Sequence, residues 1–361
     1  MSLSRAAASD TGPGSTTINS TAPDGPASDN TGFDADGFWL TGQCFDDQPL
    51  ATLWSHWCER RDGVSLVVSL DRGEILVDGH RCHDASLVLR AGQGFAFWLP
   101  GHQEGPADTG WQLLWQSHEL MAVHKPPGLA VSRTTRNTYD TLINLVRRQS
   151  PATEAHLLHR LDAETSGILV LAKHSAANKR WKKRFDRLLQ RKCYLALVYG
   201  QPDWQQLDFE CYLAERRDSP IRCQMHVVDP EQDQTACVGA AKLSRTLFQC
   251  LASQAGMTLV QCELKSGRKH QLRAQLAALG HPIVADKIYA HGGRYYLQRL
   301  QQALTPAEIA DLGASHHLLH AWQIELNAYG QRFDIQDDQL SEQWPAWVQQ
   351  WLKRTRSQPP L

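Results

Sequence analysis

The stretch His156 to Lys173, HLLHRLDAETSGILVLAK, limits the fold more than any other part of the chain. Ile168-Leu169-Val170-Leu171 is a short apolar run bounded by Thr165-Ser166-Gly167, the pattern of a buried strand. Directly before it stands the charged run His159-Arg160-Leu161-Asp162. A lone carboxylate is therefore placed on a tight loop that leads into a core strand. Such loops combine a fixed position with accessible side chains, which is where catalytic groups tend to sit. The plain alternative is an Asp that caps a turn.

With 361 residues, 42% apolar and 21% charged, the chain has the composition of a soluble globular protein, long enough for two domains. No run approaches the apolar length of a membrane span, so no membrane partner is expected. The opening MSLSRAAASDTGPG has no apolar signal core, which implies a cytoplasmic location. The nine cysteines form no C-x-x-C pair, which argues for reduced thiols and against a disulfide framework or zinc site. A formal net charge of -1 excludes nothing, because a neutral sum can hide a basic face.

Residues 1–36, rich in Ser, Thr, Gly, Pro, Asp and Asn, read as a disordered tail. Ser65–Leu70 and Glu74–Val77 read as short strands, the second followed by an Asp78-Gly79 turn, and residues 101–110 as a linker. Strands are expected at Leu113–Trp115 and Leu120–His124, then a helix from Thr141 to about Gln149 capped by Asp140. In SAANKRWKKRFDRLLQRK, Ser175 is the expected N-cap of a helix. Its inward face is Ala177, Trp181, Phe185, Leu188 and Leu189. The opposite face carries Lys179, Arg180, Lys182, Lys183, Arg184, Arg187, Arg191 and Lys192 against the single acid Asp186. Such one-signed charge suits an RNA backbone, although a solvated face is the bland reading. Cys193–Tyr199 and Met257–Leu264 read as strands, and His270–Leu279 as a helix whose N-terminus, beside Arg268 and Lys269, is a phosphate site. His316, His317 and His320 have no carboxylate or thiol at ligand spacing, so no metal is expected. Pro345 opens a last helix in which Trp347 and Trp351 read as core packing.

Four of these elements together resemble the RluA-type pseudouridine synthases. HRLDAETSGILVLAK is similar to that family's central motif, Lys125-Pro126-Pro127-Gly128 to its Asn-Lys-Pro-x-Gly element with His124 in place of the Asn, Lys192-Cys193-Tyr194-Leu195-Ala196 to its K-x-Y-L-A element, and Ser266–Arg273 to its T-G-R-x-H-Q-x-R element. The resemblance covers about residues 112–335. It implies an α+β fold, a mixed, mainly antiparallel central sheet with flanking helices. It also implies catalytic roles for Asp162, for Tyr194 beside the base and in proton transfer, and for Arg273 as partner of Asp162. The Lys-Pro-Pro-Gly element and His320 take structural roles, and His270 and Gln271 hold their loop. Ala285, standing for a Gly, slightly reshapes a turn. The run from Gly73 to Trp98 further resembles the small RNA-binding domain named after ribosomal protein S4; the alternative is a β-rich packing domain. The expected division is a tail over 1–36, this small domain over 37–105 and a catalytic domain over 106–361.

The expected activity is conversion of uridine to pseudouridine in ribosomal or transfer RNA. It is an isomerisation without redox, so no cofactor is implied, and a monomer is expected. Arg160 would fill the space left by a flipped base, and Arg268, Lys269, Lys182, Lys183 and Arg187 would meet RNA. A nucleoside hydrolase and a catalytically silent RNA-binding protein are the competing classes. Whether Asp162 attacks the sugar or assists a glycal route is open from sequence.

Overall fold

The computed structural model describes residues 37–58 and 65–356. The tail expected over residues 1–36 lies outside them. One 11-stranded sheet organises the larger part. Its main path runs Met225–Val228, Gln206–Arg216, Cys237–Gln254, Met257–Leu264, Leu189–Tyr199, Leu319–Ala328, Ser166–Ala172, Leu120–Lys125 and Gln112–Gln116. Among the described residues every pairing in it is antiparallel except Ser166–Ala172 with Leu319–Ala328, which is the mixed, mainly antiparallel α+β architecture expected.

The expected core strand is Ser166–Ala172, and all seven of its residues are buried. It is covered on both sides, by Leu142, Val146 and Leu276 in one apolar cluster and by Ala177, Trp181 and Leu188 in another. That double covering is why its sequence is apolar without alternation. Its one parallel contact is tight at Gly167, which has φ 106° and would place an added Cβ 2.3 Å from the Ala321 carbonyl oxygen. Only a residue without a side chain lets these two backbones approach this closely.

A separate four-stranded sheet orders Gly37–Gln43, Gly94–Pro100, Ile75–Val77 and His80–Arg81 around Leu40, Leu50, Trp54, Phe97 and Leu99. The Asp78-Gly79 turn forms as read, with both residues at positive φ, as a two-residue hairpin requires. Ser65–Leu70, read as a strand, is instead the helix Leu66–Asp71: Ser65 caps it by accepting the Val68 N–H at 3.3 Å, and a cap outweighs the β-branched pair Val67-Val68, both of which stay exposed. Residues 101–110 form no helix or strand, yet they are pinned, since the Glu104 carboxylate accepts the backbone N–H groups of Thr138 and Tyr139 at 2.9 to 3.1 Å.

Three other helix boundaries differ from the sequence reading. The helix after the core strand is capped by His174, whose Nδ1 accepts the Ala177 N–H at 3.2 Å, and it ends at Lys182. A short turn Phe185–Leu188 follows, and Leu189 already pairs with Leu326 as strand. Burial of Leu188 and Leu189 beside Trp181 breaks what periodicity reads as one long helix. The helix Leu142–Gln149 begins after Thr141, and Asp140 pairs with Arg148 at 2.8 Å instead of capping it. The third helix is Gln271–Ala278, with His270 left-handed at its cap.

Gly167→Ala should destabilise the fold by on the order of 3 kcal/mol through overpacking and backbone strain. Urea unfolding would measure it, and a loss below about 1 kcal/mol would show that the two strands can part at this point.

Candidate active site

The loop before the core strand is built to present one carboxylate. The Thr165 N–H closes a turn on the Asp162 carbonyl at 3.1 Å. The next carbonyl, Ala163, accepts both the Gly128 N–H at 2.9 Å and the Lys125 ammonium at 2.8 Å. Lys125 is fully buried, also donates to the Pro126 and Leu129 carbonyls, and has its pKa pushed down to about 7 by burial despite the negative charges of Asp162 and Glu164. The Lys-Pro-Pro-Gly element is thus the support of the loop. His124 lies in the same layer, bonded to Asp337 at 2.6 Å, and His320 bridges Ser166 and the Asp337 carbonyl.

Asp162 is one-third exposed, and its Oδ2 accepts from Arg273 Nη1 at 2.8 Å. Arg273 is itself gripped by Asp286, with Nε to Oδ2 at 2.6 Å and Nη2 to Oδ1 at 2.9 Å, and lies 5.2 Å over the Tyr289 ring. Asp286 is wholly buried and accepts the backbone N–H groups of Ile288 and Tyr289. Burial favours the neutral acid at Asp162, but the Arg273 charge outweighs it and holds the carboxyl below the ordinary range. Asp286 is the residue that sequence reasoning missed. Its signal was the departure just before it: Ala285 adopts φ 62°, the conformation a Gly takes without cost, and turns the chain so that Asp286 faces Arg273.

His270 Nε2 lies 3.7 Å from Asp162, and His270 Nδ1 lies 3.1 Å from the Tyr289 hydroxyl, which accepts the Met225 N–H. This network assigns the His270 proton to Nε2, facing the carboxylate. Gln271 fastens the preceding turn, accepting from Arg268 N–H and Ser266 and donating to the Arg245 carbonyl and Thr246. The loop-holding roles expected of both residues are what the bonds describe.

All of this opens into a cleft of about 960 Å³, against about 110 and 220 Å³ for two other concave regions. Asp162, Tyr194, Arg273, Arg160, Arg268, Lys269 and Lys182 line it, whereas Lys183 and Arg187 do not. Eight Lys and Arg side chains meet three carboxylates in its wall, so a chain of net charge -1 has a strongly positive cleft. Several of these cations are already engaged: Lys182 on the Leu157 and Leu158 carbonyls, Arg268 on the Leu243 carbonyl, Lys269 on Glu215, and Lys287 and Arg299 on Glu164. Arg160 is exposed at the rim. Tyr194 is buried, and burial together with the Asp162 charge raises its pKa, so its hydroxyl keeps its proton at neutral pH.

Burial depresses four histidines around the cleft, His270, His316 and His317 to about 4 and His159 to about 3. In the unfolded chain each protonates near pH ~6.5. Below that pH unfolding takes up protons that the folded state refuses, so stability falls with pH, by up to about 1.4 kcal/mol per unit for each residue, until the folded values are reached. The urea midpoint should therefore drop between pH 6.5 and 5, before carboxylates such as Asp162 and Asp286 titrate. A flat midpoint across that range would contradict the burial of these imidazoles as neutral groups.

Comparison with known proteins gives the family. The sequence model of the RNA pseudouridylate synthase family matches residues 119–278. The dual-specificity RNA pseudouridine synthase RluA of Vibrio vulnificus is 31% identical over 232 residues, 62% of this chain and 86% of the relative. The ribosomal large subunit pseudouridine synthase D of Nitrosomonas europaea is 30% identical over 220 residues, 60% of this chain and 57% of that one. In fold, the chain is similar to human RNA pseudouridylate synthase domain containing 1, with a TM-score of 0.50 and 21% identity over 71% of this chain and 99% of that one. A relative at this identity, matched over most of its own length, places the chain in the RluA-type pseudouridine synthases, and it is an RNA pseudouridine synthase, an isomerase.

Proposed function

We propose that this enzyme isomerises specific uridines of ribosomal or transfer RNA, as a cytoplasmic monomer without a cofactor, with Asp162 as nucleophile. The observation that carries the reading is an ionised carboxylate, one-third exposed in a basic cleft and held by a guanidinium that is itself locked. The N1–C1′ bond of uridine breaks and a C5–C1′ bond forms, while C5 loses a proton and N1 gains one, so composition and oxidation state are unchanged. Asp162 takes C1′ as uracil departs, and releases it when C5 of the rotated base attacks. The target nucleotide leaves its stack to enter the cleft, with Arg160 at the rim in place to occupy the gap. Tyr194 packs beside the base, and its hydroxyl, kept protonated, relays the C5 proton but is no standing base. Arg160, Arg268 and Lys269 at the cleft, with Lys182, Lys183 and Arg187 beyond or along its edge, offer positive charge to the backbone. The names of the relatives, one dual-specificity and one for the large ribosomal subunit, support ribosomal or transfer RNA as substrate.

A nucleoside hydrolase would need a second working carboxylate or a metal cluster at the sugar. Here Asp286 and Glu164 are each committed to two cationic contacts. Asp162→Asn is nearly isosteric and cannot act as nucleophile, so tritium release from RNA labelled at uridine C5 should fall by roughly three orders of magnitude or more, with RNA binding retained. Release near the wild-type rate would remove Asp162 from the chemistry.

Arg273→Lys keeps the charge and loses the fork that holds Asp286 and Asp162 together. Turnover at saturating RNA should drop roughly a hundredfold with little change in affinity, as expected when a reacting group is misplaced by about an ångström. Were Arg273 a phosphate ligand, the binding titration would move instead, and single-turnover kinetics would stay near normal.

A further inference from the structure

We propose that Lys192 is the phosphate anchor of the cleft, its ammonium receiving the RNA phosphate beside the target nucleotide. This rests on the reading of Asp162 as the catalytic carboxylate and adds a residue to it. Lys192 stands two residues before Tyr194 on the strand Leu189–Tyr199, and both line the cleft. Its neighbour Arg191 points elsewhere and is paired with Glu263 at 3.0 Å. Among the described residues, the Lys192 ammonium makes no salt bridge or side-chain hydrogen bond, and Asp186 is the one acid that acts on it, from a distance. The other cleft cations are engaged with carboxylates or carbonyls, except Arg160, which is exposed.

Lys192 has no such partner and is not open to solvent as Arg160 is. It is half-buried in the cleft wall, and burial lowers its pKa, with no anion in contact to offset the loss. A partly desolvated ammonium without a counterion is costly, and an anion in contact with it offsets that cost. The surroundings fit a phosphate. The ammonium abuts the Ser266-Gly267 turn, where a methyl group added to Gly267 would lie 3.4 Å from Nζ. Nearby His159 cannot share the charge, because its Nε2 accepts the Val170 N–H at 3.0 Å and the ring stays neutral. Its ring faces Phe185 with centroids 5.4 Å apart, so neutral rings stand near Lys192. Lys192 is thus the half-buried cleft cation whose charge no protein anion in contact satisfies.

The test uses the full chain, an RNA substrate that supports tritium release, and the variants Lys192→Met and Lys192→Arg. Lys192→Met keeps the stem and removes the charge. Its melting temperature should hold or rise, its RNA affinity should fall about tenfold, and the slope of log affinity against log salt should flatten by about one. Lys192→Arg should restore affinity and slope. An unchanged slope in Lys192→Met, or a fall in melting temperature that accounts for the lost binding, overturns the proposal. So does a loss confined to turnover at saturating RNA, which would place Lys192 against the uracil. If instead the wild-type protein releases no tritium from any RNA while binding it with a slope that Lys192→Met flattens, the catalytic reading fails and the phosphate contact stands.

Discussion

The site depends on one guanidinium. Arg273 uses Nε and Nη2 on Asp286 and Nη1 on Asp162, so three donors of one planar group fix two carboxylates relative to each other. Asp286 is anchored in turn by two backbone N–H groups, and the helix that carries Arg273 is buried over its first six residues. Buried ion pairs add little net stability, because the gain on pairing is set against desolvation of both partners. The value of this one is positional. A carboxylate on a turn would sample several rotamers, whereas here its orientation is inherited from the helix and, through Lys125 and Gly128, from the sheet.

That chain of support explains which parts of the molecule were legible in the sequence. The strands Leu120–Lys125, Ser166–Ala172 and Met257–Leu264 were readable because each is short, apolar and bounded by polar turns. Asp162 and Arg273 were named from a resemblance, and their 111-residue separation is bridged only by the fold. Asp286 was hidden for a simple reason. A buried acid that serves a buried base looks, in sequence, like any turn residue, and only the left-handed Ala285 before it marks the bend.

The misread elements share a different cause. Ser65–Leu70 and the run from Ser175 to Lys192 were assigned by local pattern, and both were decided by something the pattern does not contain. In the first a side-chain cap started a helix in residues that prefer strands. In the second, pairing of Leu189 with Leu326 and burial of Leu188 drew the chain into the sheet while its charges still repeated at helical spacing. The same limit applies to charge. A helical wheel showed Lys182, Lys183 and Arg187 on one basic face, but Lys182 reaches back to two carbonyls and the other two lie outside the cleft.

Charge in this protein acts through placement. The chain is nearly neutral, yet the cleft wall has an excess of five positive charges among the described residues, and much of the acid that balances it is paired elsewhere, as in Arg245 with Asp208 and Arg216 with Asp218. Screening limits such surface pairs to about 8 Å at physiological salt, so they cannot cancel the field inside the cleft. Within the cleft the cations divide by their partners. Arg273 is held by carboxylates and positions Asp162, and Lys287 and Arg299 neutralise Glu164. A polyanion entering the cleft cannot win cations held this tightly without exposing a buried acid, so it gains most from those with no partner to give up. Orientation of the Asp162 carboxylate and unpaired positive charge are thereby carried by different residues of one wall, so the two can change separately.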